Sequence, residues 1–297
     1  MDGLELLSAE IQKIAHEFTG YSSFATKHVR CRNFNAHVLH AMLDGLQITH
    51  SDLVPHLRSI KSLFGALVRE WSEIGAPERW VCFNRLVDSA VSRYPSKAAR
   101  ILVPGCGLGR LCYEFASRGF TTTGVEVSVH SLVAMQYILT RTAQDAIYPW
   151  IHTNSNHLNV ANQTMPAYVP DVYANGLKLD IVFGDFVQVY SSTTCAFDAV
   201  VTCFFVDTAR DLKDYIGVIK NILVAGGHWI NIGPLQFHHE GTPGSCEYTL
   251  EEFKMLVIDN GFDILEQDMV STTYGGNPHS MLQYVYSCWY FTAAKRA

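Results

Sequence analysis

Charged residues are scarce in this sequence, and their balance is slightly acidic. Asp, Glu, Lys and Arg make up 17% of the 297 residues, and the formal net charge is −6. A broad basic face for nucleic-acid phosphates is therefore not expected. Apolar residues make up 48% of the chain, which predicts a sizeable core without a long disordered tail.

Two further signals are missing. The eight cysteines are scattered, and no two of them form a Cys-x-x-Cys pair, so neither a zinc site nor a disulfide framework is expected. The first residues lack the basic and apolar regions of a secretory signal, and no apolar run is long enough to cross a bilayer. These absences predict that the protein resides in the cytoplasm, or in both cytoplasm and nucleus. Its thiols are expected to be reduced, and no association with a membrane is expected.

Hydrophobic periodicity predicts an α/β fold class. Residues 1–95 are predicted to form an N-terminal helical region, in which Leu63, Leu67 and Trp71 recur at helical spacing. From residue 96 to 297 apolar strands alternate with helices, which is typical of a parallel sheet. The expected architecture is a seven-stranded Rossmann-like sheet with an antiparallel hairpin at its C-terminal edge.

The predicted strands are short and separated by turn residues. They lie at 100–104, 121–126, 179–183, 197–203, 228–232, 262–267 and 283–292. Helices are predicted at 108–118, from the cap Ser128 to about 141, at 211–223 with Gly226-Gly227 as its end, and at 250–260. The stretch 143–177 is predicted to be irregular, and its length suggests a lid over a site.

The most informative motif is a glycine-rich turn between the first strand and its helix. Gly105, Gly107 and Gly109 follow Ile101–Pro104, and Glu126 ends the next strand. Glycines allow close backbone approach to a nucleoside, and a carboxylate can accept from both ribose hydroxyls. The run is not the Gly-x-Gly-x-x-Gly of dinucleotide folds. S-adenosylmethionine, whose adenosyl group carries no phosphate, fits it better than NAD, so residues 96–297 are interpreted as an S-adenosylmethionine-dependent methyltransferase domain.

Ligands of such sheets bind at the carboxyl ends of the strands. The third strand is followed by Asp185, a candidate acceptor for the adenine amino group, and by Phe186, a candidate apolar wall. The fourth strand ends at Cys203 and leads to Asp207, while His238 follows the fifth. Simpler interpretations remain: Asp185 as a helix cap, Asp207 as a cap or an ion-pair partner of Arg210, and His238 as a structural residue.

Three tyrosines lie near the predicted C-terminal strands. Tyr284 and Tyr286 share one face of a strand at spacing two, and Tyr274 precedes them. Core packing and a ring-lined acceptor pocket with polar tips are both consistent with this pattern.

At these residues the chain resembles the carnosine N-methyltransferase family. The similarity runs in unbroken order from about residue 60 to the C-terminus. It is carried by segments 68–75, 102–111, 148–152, 184–186, 202–209 and 229–235, of which Cys203–Ala209 and Trp229–Leu235 are far more specific than the glycine turn.

The resemblance implies a set of site residues. Those matching cofactor-binding positions are Arg69, Gly105, Glu126, Asp185, Phe186 and Cys203, and Gly107 of the glycine turn is a further cofactor-binding candidate. Those matching or adjoining substrate positions are Asp207, His238, Tyr286, Tyr274 and Tyr284, with Asp207 as the catalytic residue.

The implied reaction is methyl transfer from S-adenosylmethionine to the imidazole nitrogen nearest the side-chain branch of a histidine-containing acceptor, most simply carnosine, which gives anserine. Alternatives are a histidine within a protein as acceptor, a nicotinamide-dependent oxidoreductase, and an inactive methyltransferase-like binding module. The methyl of a sulfonium is already activated, so no metal is expected. A homodimer is a further expectation.

Overall fold

The computed structural model describes residues 25–43 and 57–296. The chain divides into two compact units. The first contains the described residues up to Ala76, together with Ser128–Gly176 and Tyr274–Tyr284, and the second contains Pro77–Val127, Leu177–Thr273 and the residues from Val285 onward. The predicted domain boundary near residue 95 stays a prediction about which part of the chain folds by itself.

Helices and strands alternate through most of the described residues. The helices are α1 Ala25–Leu43, α2 Leu57–Trp71, α3 Ala76–Arg79, α4 Arg85–Arg93, α5 Arg110–Ala116, α6 Val129–Leu139, α7 Val160–Gln163, α8 Phe186–Tyr190, α9 Leu212–Ile222 and α10 Leu250–Asp259. The strands are β1 Arg100–Pro104, β2 Thr121–Glu126, β3 Asp145–Ile147, β4 Ala167–Val169, β5 Asp180–Phe183, β6 Phe197–Cys203, β7 Leu223–Gly233, β8 Phe262–Thr272 and β9 Tyr286–Lys295. Shorter 3-10 turns cover Glu73–Gly75 and Val206–Thr208, and a π-helical turn covers Trp80–Asn84.

The second unit is built on a seven-stranded sheet in the order β5-β2-β1-β6-β7-β9-β8, counted over the described residues. The first five strands of that order are parallel, whereas β9 runs antiparallel to both of its neighbours. This confirms the predicted Rossmann-like sheet and the antiparallel C-terminal edge hairpin. The order reverses between β1 and β6, which is where an open parallel sheet forms a ligand crevice.

Burial of the central strands explains why they read as apolar runs. Val200 and Val201 of β6 point to opposite faces, and neither is exposed to solvent. The buried polar groups of the core bond to one another: the Trp229 Nε1–H donates to Thr202 Oγ1 at 2.9 Å, and that hydroxyl donates to Asn231 Oδ1 at 2.8 Å. The core therefore contains a satisfied polar chain among its aromatic side chains.

Several predicted boundaries were wrong where strand pairing overrides local pattern. Helix α9 ends at Ile222, and β7 already begins at Leu223, which pairs with Phe197 of β6. Gly226-Gly227 therefore does not cap the helix. The ladder resumes only at Ala199 and His228, so the glycines lie in a bulge, where Gly226 has φ +71°. Strands β8 and β9 likewise extend further toward the C-terminus than predicted.

The first unit corrects the prediction that residues 143–177 are irregular. Strands β3 and β4 form a two-stranded antiparallel sheet within this stretch, and α7 adds a short helix. The buried Asn35 of α1 holds the segment after β3. Its Oδ1 accepts from the Tyr148 N–H at 2.7 Å, and its Nδ2 donates to the Tyr148 carbonyl at 2.9 Å. Three-residue strands are too short for periodicity to reveal. The role of the stretch as a lid stays a prediction.

Candidate active site

The glycine turn after β1 closely approaches an aromatic ring from another strand end. Gly105 has φ +60°, and a Cβ atom there would lie 2.4 Å from Cδ2 of Phe205. No other residue type fits that position without displacing the ring. Gly107 and Gly109 also have positive φ, and Gly109 is the N-cap of α5. The turn is thus packed directly against the segment that follows β6.

Glu126 ends β2 beside this turn, as predicted. Its side chain is largely buried, and its two carboxylate oxygens are held from two directions. The Gly107 N–H donates to Oε2 at 2.9 Å, and the Val127 N–H donates to Oε1 at 3.0 Å. A carboxylate has about four acceptor positions, so these bonds orient the group without exhausting it. The predicted role of Glu126 as an acceptor for ribose hydroxyls stays a prediction.

Asp185 and Phe186 follow β5. The Asp185 side chain caps α8, since its Oδ1 accepts from the Gln188 N–H at 3.0 Å, so the simpler interpretation of this residue is present in the structure. Its predicted bond to an adenine amino group stays a prediction. Phe186 is buried, and its ring meets Phe205 edge-on with centroids 5.6 Å apart. Together, Phe205, Phe186 and the glycine turn show that the ends of β1, β5 and β6 meet.

Asp207 lies in the 3-10 turn after β6 and is almost completely buried. Its Oδ2 accepts from the Gln236 N–H at 3.1 Å, and its backbone carbonyl accepts from the His238 N–H at 3.0 Å. Burial raises the pKa of this carboxyl above its usual range, while the Gln236 bond and the charge of His238 oppose that shift. The segment after β7 thus wraps around Asp207 and brings His238 beside it. Arg210 is exposed, and among the described residues no ion pair joins it to Asp207.

The end of β6 lies beside the end of β7 and the start of β9. Cys203 is the last residue of β6 and is half-buried. The Phe204 N–H donates to the Ile232 carbonyl at 2.8 Å, and the Phe204 ring stands perpendicular to Tyr286 with centroids 5.6 Å apart. The second unit therefore brings Tyr286 next to the segment that carries Asp207.

The remaining predicted site residues belong to the first unit. The Arg69 guanidinium of α2 lies 4.4 Å from the centre of the Tyr274 ring, a cation–π contact. Tyr284 is exposed and precedes β9, which begins at Tyr286. The prediction that Tyr284 and Tyr286 share a face of one strand was therefore wrong. The roles of Arg69, Tyr274 and Tyr284 stay predictions.

Three contributors to this edge of the sheet are not among the predicted site residues. Phe205 joins three strand ends, and Tyr215 of α9 stacks on it at 4.6 Å while its hydroxyl bonds Thr208 Oγ1 at 3.1 Å. Burial raises the pKa of the Tyr215 phenol, the hydrogen bond to Thr208 opposes that shift, and the negative charges of Asp185 and Asp207 add to it. The third is the Gln236 N–H. A backbone donor leaves no signal in a sequence. The adjacent phenylalanines after β6, by contrast, are a signal that the sequence does show.

The described part of the chain contains neither a metal-ligand cluster nor a membrane-spanning helix. Among residues 25–43 and 57–296, no three His, Cys, Asp or Glu side chains come together as metal ligands would. In the same residues, no helix combines the length and the apolarity that a bilayer span needs.

Comparison with known proteins gives a consistent match. The family model for carnosine N-methyltransferase matches residues 48–297. The carnosine N-methyltransferase of Mus musculus is 38% identical over 251 residues, which cover 80% of this chain and 62% of the mouse protein. That of Schizosaccharomyces pombe is 35% identical over 264 residues, covering 80% of this chain and 71% of that protein. In Drosophila melanogaster the protein described as carnosine N-methyltransferase unmet is 35% identical over 277 residues, covering 87% and 60%. The chain thus spans about three-fifths of the length of the mouse and Drosophila proteins.

Proposed function

Because the chain belongs to the carnosine N-methyltransferase family, we propose that it methylates an imidazole nitrogen of carnosine with S-adenosylmethionine as methyl donor. The observation that carries this proposal is that two carboxylates with different surroundings follow β2 and β6 at the same edge of the sheet. Glu126 is held by backbone N–H groups beside a glycine turn, and Asp207 is buried beside His238. The first suits a ribose and the second suits a ring N–H.

The residues around the glycine turn fit an adenosyl cofactor. Glu126 would accept from the ribose hydroxyls, because backbone donors already fix the direction of its oxygens. Gly105 and Gly107 bring the backbone close without side chains, and Phe186 supplies an apolar wall next to Asp185. S-adenosylmethionine supplies an activated methyl group on a sulfonium. Arg69 and Cys203 are proposed as further cofactor contacts on the strength of the family resemblance alone.

Asp207 would prepare the acceptor ring. Neutral imidazole has one N–H and one nitrogen lone pair, and only the lone-pair nitrogen can accept a methyl group. By accepting the N–H, the Asp207 carboxylate selects the tautomer whose other nitrogen faces the methyl donor. The same carboxylate then offsets the positive charge that the ring gains. His238 and Tyr286 would orient the acceptor, with Tyr274 and Tyr284 as additional candidates.

The competing enzyme class requires a phosphate-binding glycine that this chain lacks. Arg110 occupies the place where a dinucleotide fold has its third glycine, and its side chain is paired with Glu114 at 2.8 Å. The position that would contact a pyrophosphate is therefore occupied by the first residue of α5, whose side chain forms an ion pair within the helix. An inactive binding module is disfavoured by the burial of Asp207, since a buried carboxylate with a raised pKa costs stability and is characteristic of functional sites.

The acceptor is tested with labelled methyl donor. Carnosine and a histidine-containing protein extract are incubated separately with the enzyme, and product is identified by mass spectrometry and proton NMR. We expect transfer to carnosine at the nitrogen nearest the side-chain branch, giving anserine. Transfer to protein histidine alone would favour the alternative acceptor, and no transfer to either would refute the proposal. Isothermal titration with S-adenosylmethionine and NAD separates the two cofactor classes.

Assembly and location are proposed from the sequence alone. A homodimer is proposed on the family resemblance, and residence in the cytoplasm, with or without the nucleus, is proposed on the scattered cysteines. Gel filtration with light scattering and imaging of the tagged full-length protein test them.

A further inference from the structure

The chain after β7 returns at both ends of one loop to the turn that carries Asp207. At the first end, the His238 N–H donates to the Asp207 carbonyl at 3.0 Å. At the second end, the Cys246 N–H donates to the Arg210 carbonyl at 2.8 Å. Residues 238–247 therefore form a compact surface loop, called here the 238–247 loop, whose ends both lie against the segment that follows β6.

The middle of the 238–247 loop has little packing to support it. Residues 240–244 are all exposed. Gly241 and Gly244 have left-handed φ angles of +71° and +82°, and a Cβ atom on either would meet no atom of the described residues within 4 Å. Exposed segments with few packed contacts are the ones that open most readily. The shape of this loop therefore depends on its own hydrogen bonds.

Glu247 supplies the bonds that close the loop. Its Oε1 accepts from the Gly241 N–H at 3.1 Å and from the Ser245 hydroxyl at 2.8 Å. These two donors hold the pKa of the Glu247 carboxyl below its usual range, so the group is ionised at neutral pH and both bonds are charge-assisted. The carboxylate thus ties the end of the loop to its middle.

His238 lies at the start of the closed loop, beside Asp207. The next residue, His239, accepts from the Thr242 N–H at 3.0 Å through its carbonyl, so the backbone turns immediately after His238. Burial raises the pKa of Asp207, and the charge of His238 opposes that shift, so the imidazole acts electrostatically on the carboxylate. A loop that is closed by Glu247 restricts the positions that His238 adopts relative to Asp207.

We propose that Glu247 is a positioning residue, which closes the 238–247 loop and thereby keeps His238 beside Asp207 when the acceptor binds. This inference rests on the proposed function, because it assumes that His238 orients an acceptor held by Asp207. Glu247 acts through His238 and takes no part in proton or methyl transfer. Since both bonds end on one oxygen, an amide oxygen at the same place would accept them too.

The experiment compares two substitutions of Glu247 with a matched control in α10. Glu247→Ala removes the acceptor oxygen, and Glu247→Gln keeps it. Glu252→Ala is the control, because Glu252 is also exposed and its Oε2 likewise accepts from one backbone N–H and one hydroxyl, both of Thr249 and both at 2.8 Å. The measurements are kcat and KM for carnosine at saturating S-adenosylmethionine, Kd for S-adenosylmethionine, melting temperature, and hydrogen–deuterium exchange of the 238–247 loop.

We expect Glu247→Ala to lower kcat/KM for carnosine about tenfold, mainly through KM, because the acceptor loses an oriented partner. Its loop should exchange faster, while Kd for S-adenosylmethionine stays within about twofold of wild type and the melting temperature within about 3 °C. Glu247→Gln and Glu252→Ala should keep kcat/KM within about twofold of wild type. Wild-type kinetics in Glu247→Ala, an equal loss in Glu252→Ala, or a Glu247→Gln protein as impaired as Glu247→Ala would overturn the inference.

A double-mutant cycle tests whether Glu247 acts through His238. His238→Ala should itself lower kcat/KM for carnosine, and adding Glu247→Ala to it should cause no further loss, because the residue that Glu247 positions is gone. A full second loss in the double variant, or wild-type kinetics in His238→Ala, would overturn the inference while leaving methyl transfer to carnosine intact. So would a Glu247→Ala protein that melts well below wild type, since Glu247 would then support the fold. A wild-type protein inactive on carnosine would overturn both this inference and the proposed function.

Discussion

Replacing Asp207 with asparagine separates catalysis from stability, and the structure predicts opposite signs for the two. The Gln236 N–H requires an acceptor at the Oδ2 position, so in the Asp207→Asn variant the amide oxygen would take that place. The amide NH2 would then occupy the other position and face the acceptor ring. A donor there cannot accept the ring N–H, and it favours the tautomer whose lone pair points away from the methyl donor. The variant should therefore bind cofactor and fail in turnover.

The expected loss follows from comparable chemistry. A carboxylate-to-amide change at a tautomer-setting aspartate lowers kcat by about 10⁴-fold in serine proteases, and we expect about 10³–10⁴-fold here, ~4–5.5 kcal/mol. The assay is initial rate at saturating carnosine and S-adenosylmethionine, with Kd for S-adenosylmethionine by isothermal titration as the control. A kcat within about tenfold of wild type would refute the role of Asp207 in setting the tautomer.

Stability should move the other way. Burial raises the pKa of Asp207, so ionisation of this carboxyl is less favourable in the folded state than in the unfolded chain. The ionised carboxylate therefore costs stability at neutral pH, and that cost disappears as pH falls through the folded pKa. Asp207→Asn removes the cost, and its melting temperature at pH ~7.5 should equal or exceed that of wild type. The wild-type kcat should fall at acid pH, since ionised Asp207 and neutral imidazole are both required. A variant that melts far below wild type would contradict the burial argument.

Three further substitutions test neighbouring parts of the structure. Glu126→Gln places an amide NH2 group opposite one of the two N–H donors that now hold the carboxylate. Isothermal titration should show about 10- to 100-fold weaker S-adenosylmethionine binding. An unchanged Kd would exclude Glu126 as the ribose acceptor. Gly105→Ala combines left-handed strain with a clash against Phe205. It should lower the free energy of unfolding by at least about 1–3 kcal/mol in urea titrations. An unchanged urea midpoint would show that the turn accommodates the added Cβ atom. Thr249→Ala removes the capping box of α10 and should cost about 1 kcal/mol with kcat/KM unchanged; altered kinetics would show that α10 influences the site.

The parallel core of the sheet could be predicted because its strands carry their own signals. Strands β1, β2 and β6 have the predicted bounds. The first and last are short apolar runs between turn residues, and β2 is marked by three successive threonines, which are β-branched. The prediction of Ser128 as a helix cap is confirmed, because its Oγ accepts from the Ser131 N–H. The start of β7 could not be predicted, because Leu223 becomes a strand residue only by pairing with Phe197. Tertiary pairing overrides local helix preference there.

The positions of the two candidate carboxylates could be predicted from the sequence, whereas the groups that hold them in place could not. Glu126 and Asp207 stand at strand ends, where topology alone brings side chains together. The Gln236 N–H that holds Asp207 could belong to any residue type, so no pattern marks it. The left-handed backbone of Phe204 is equally invisible, since glycine is the residue that normally signals such a conformation.

The most direct measurement is a crystal structure of the protein with S-adenosylhomocysteine and carnosine. We expect the Glu126 carboxylate on the ribose hydroxyls, and Asp207 Oδ1 within about 3 Å of the imidazole N–H, with the other ring nitrogen facing the sulfur. An acceptor ring bound away from Asp207, or a nucleoside bound without Glu126, would contradict the assignment of the site.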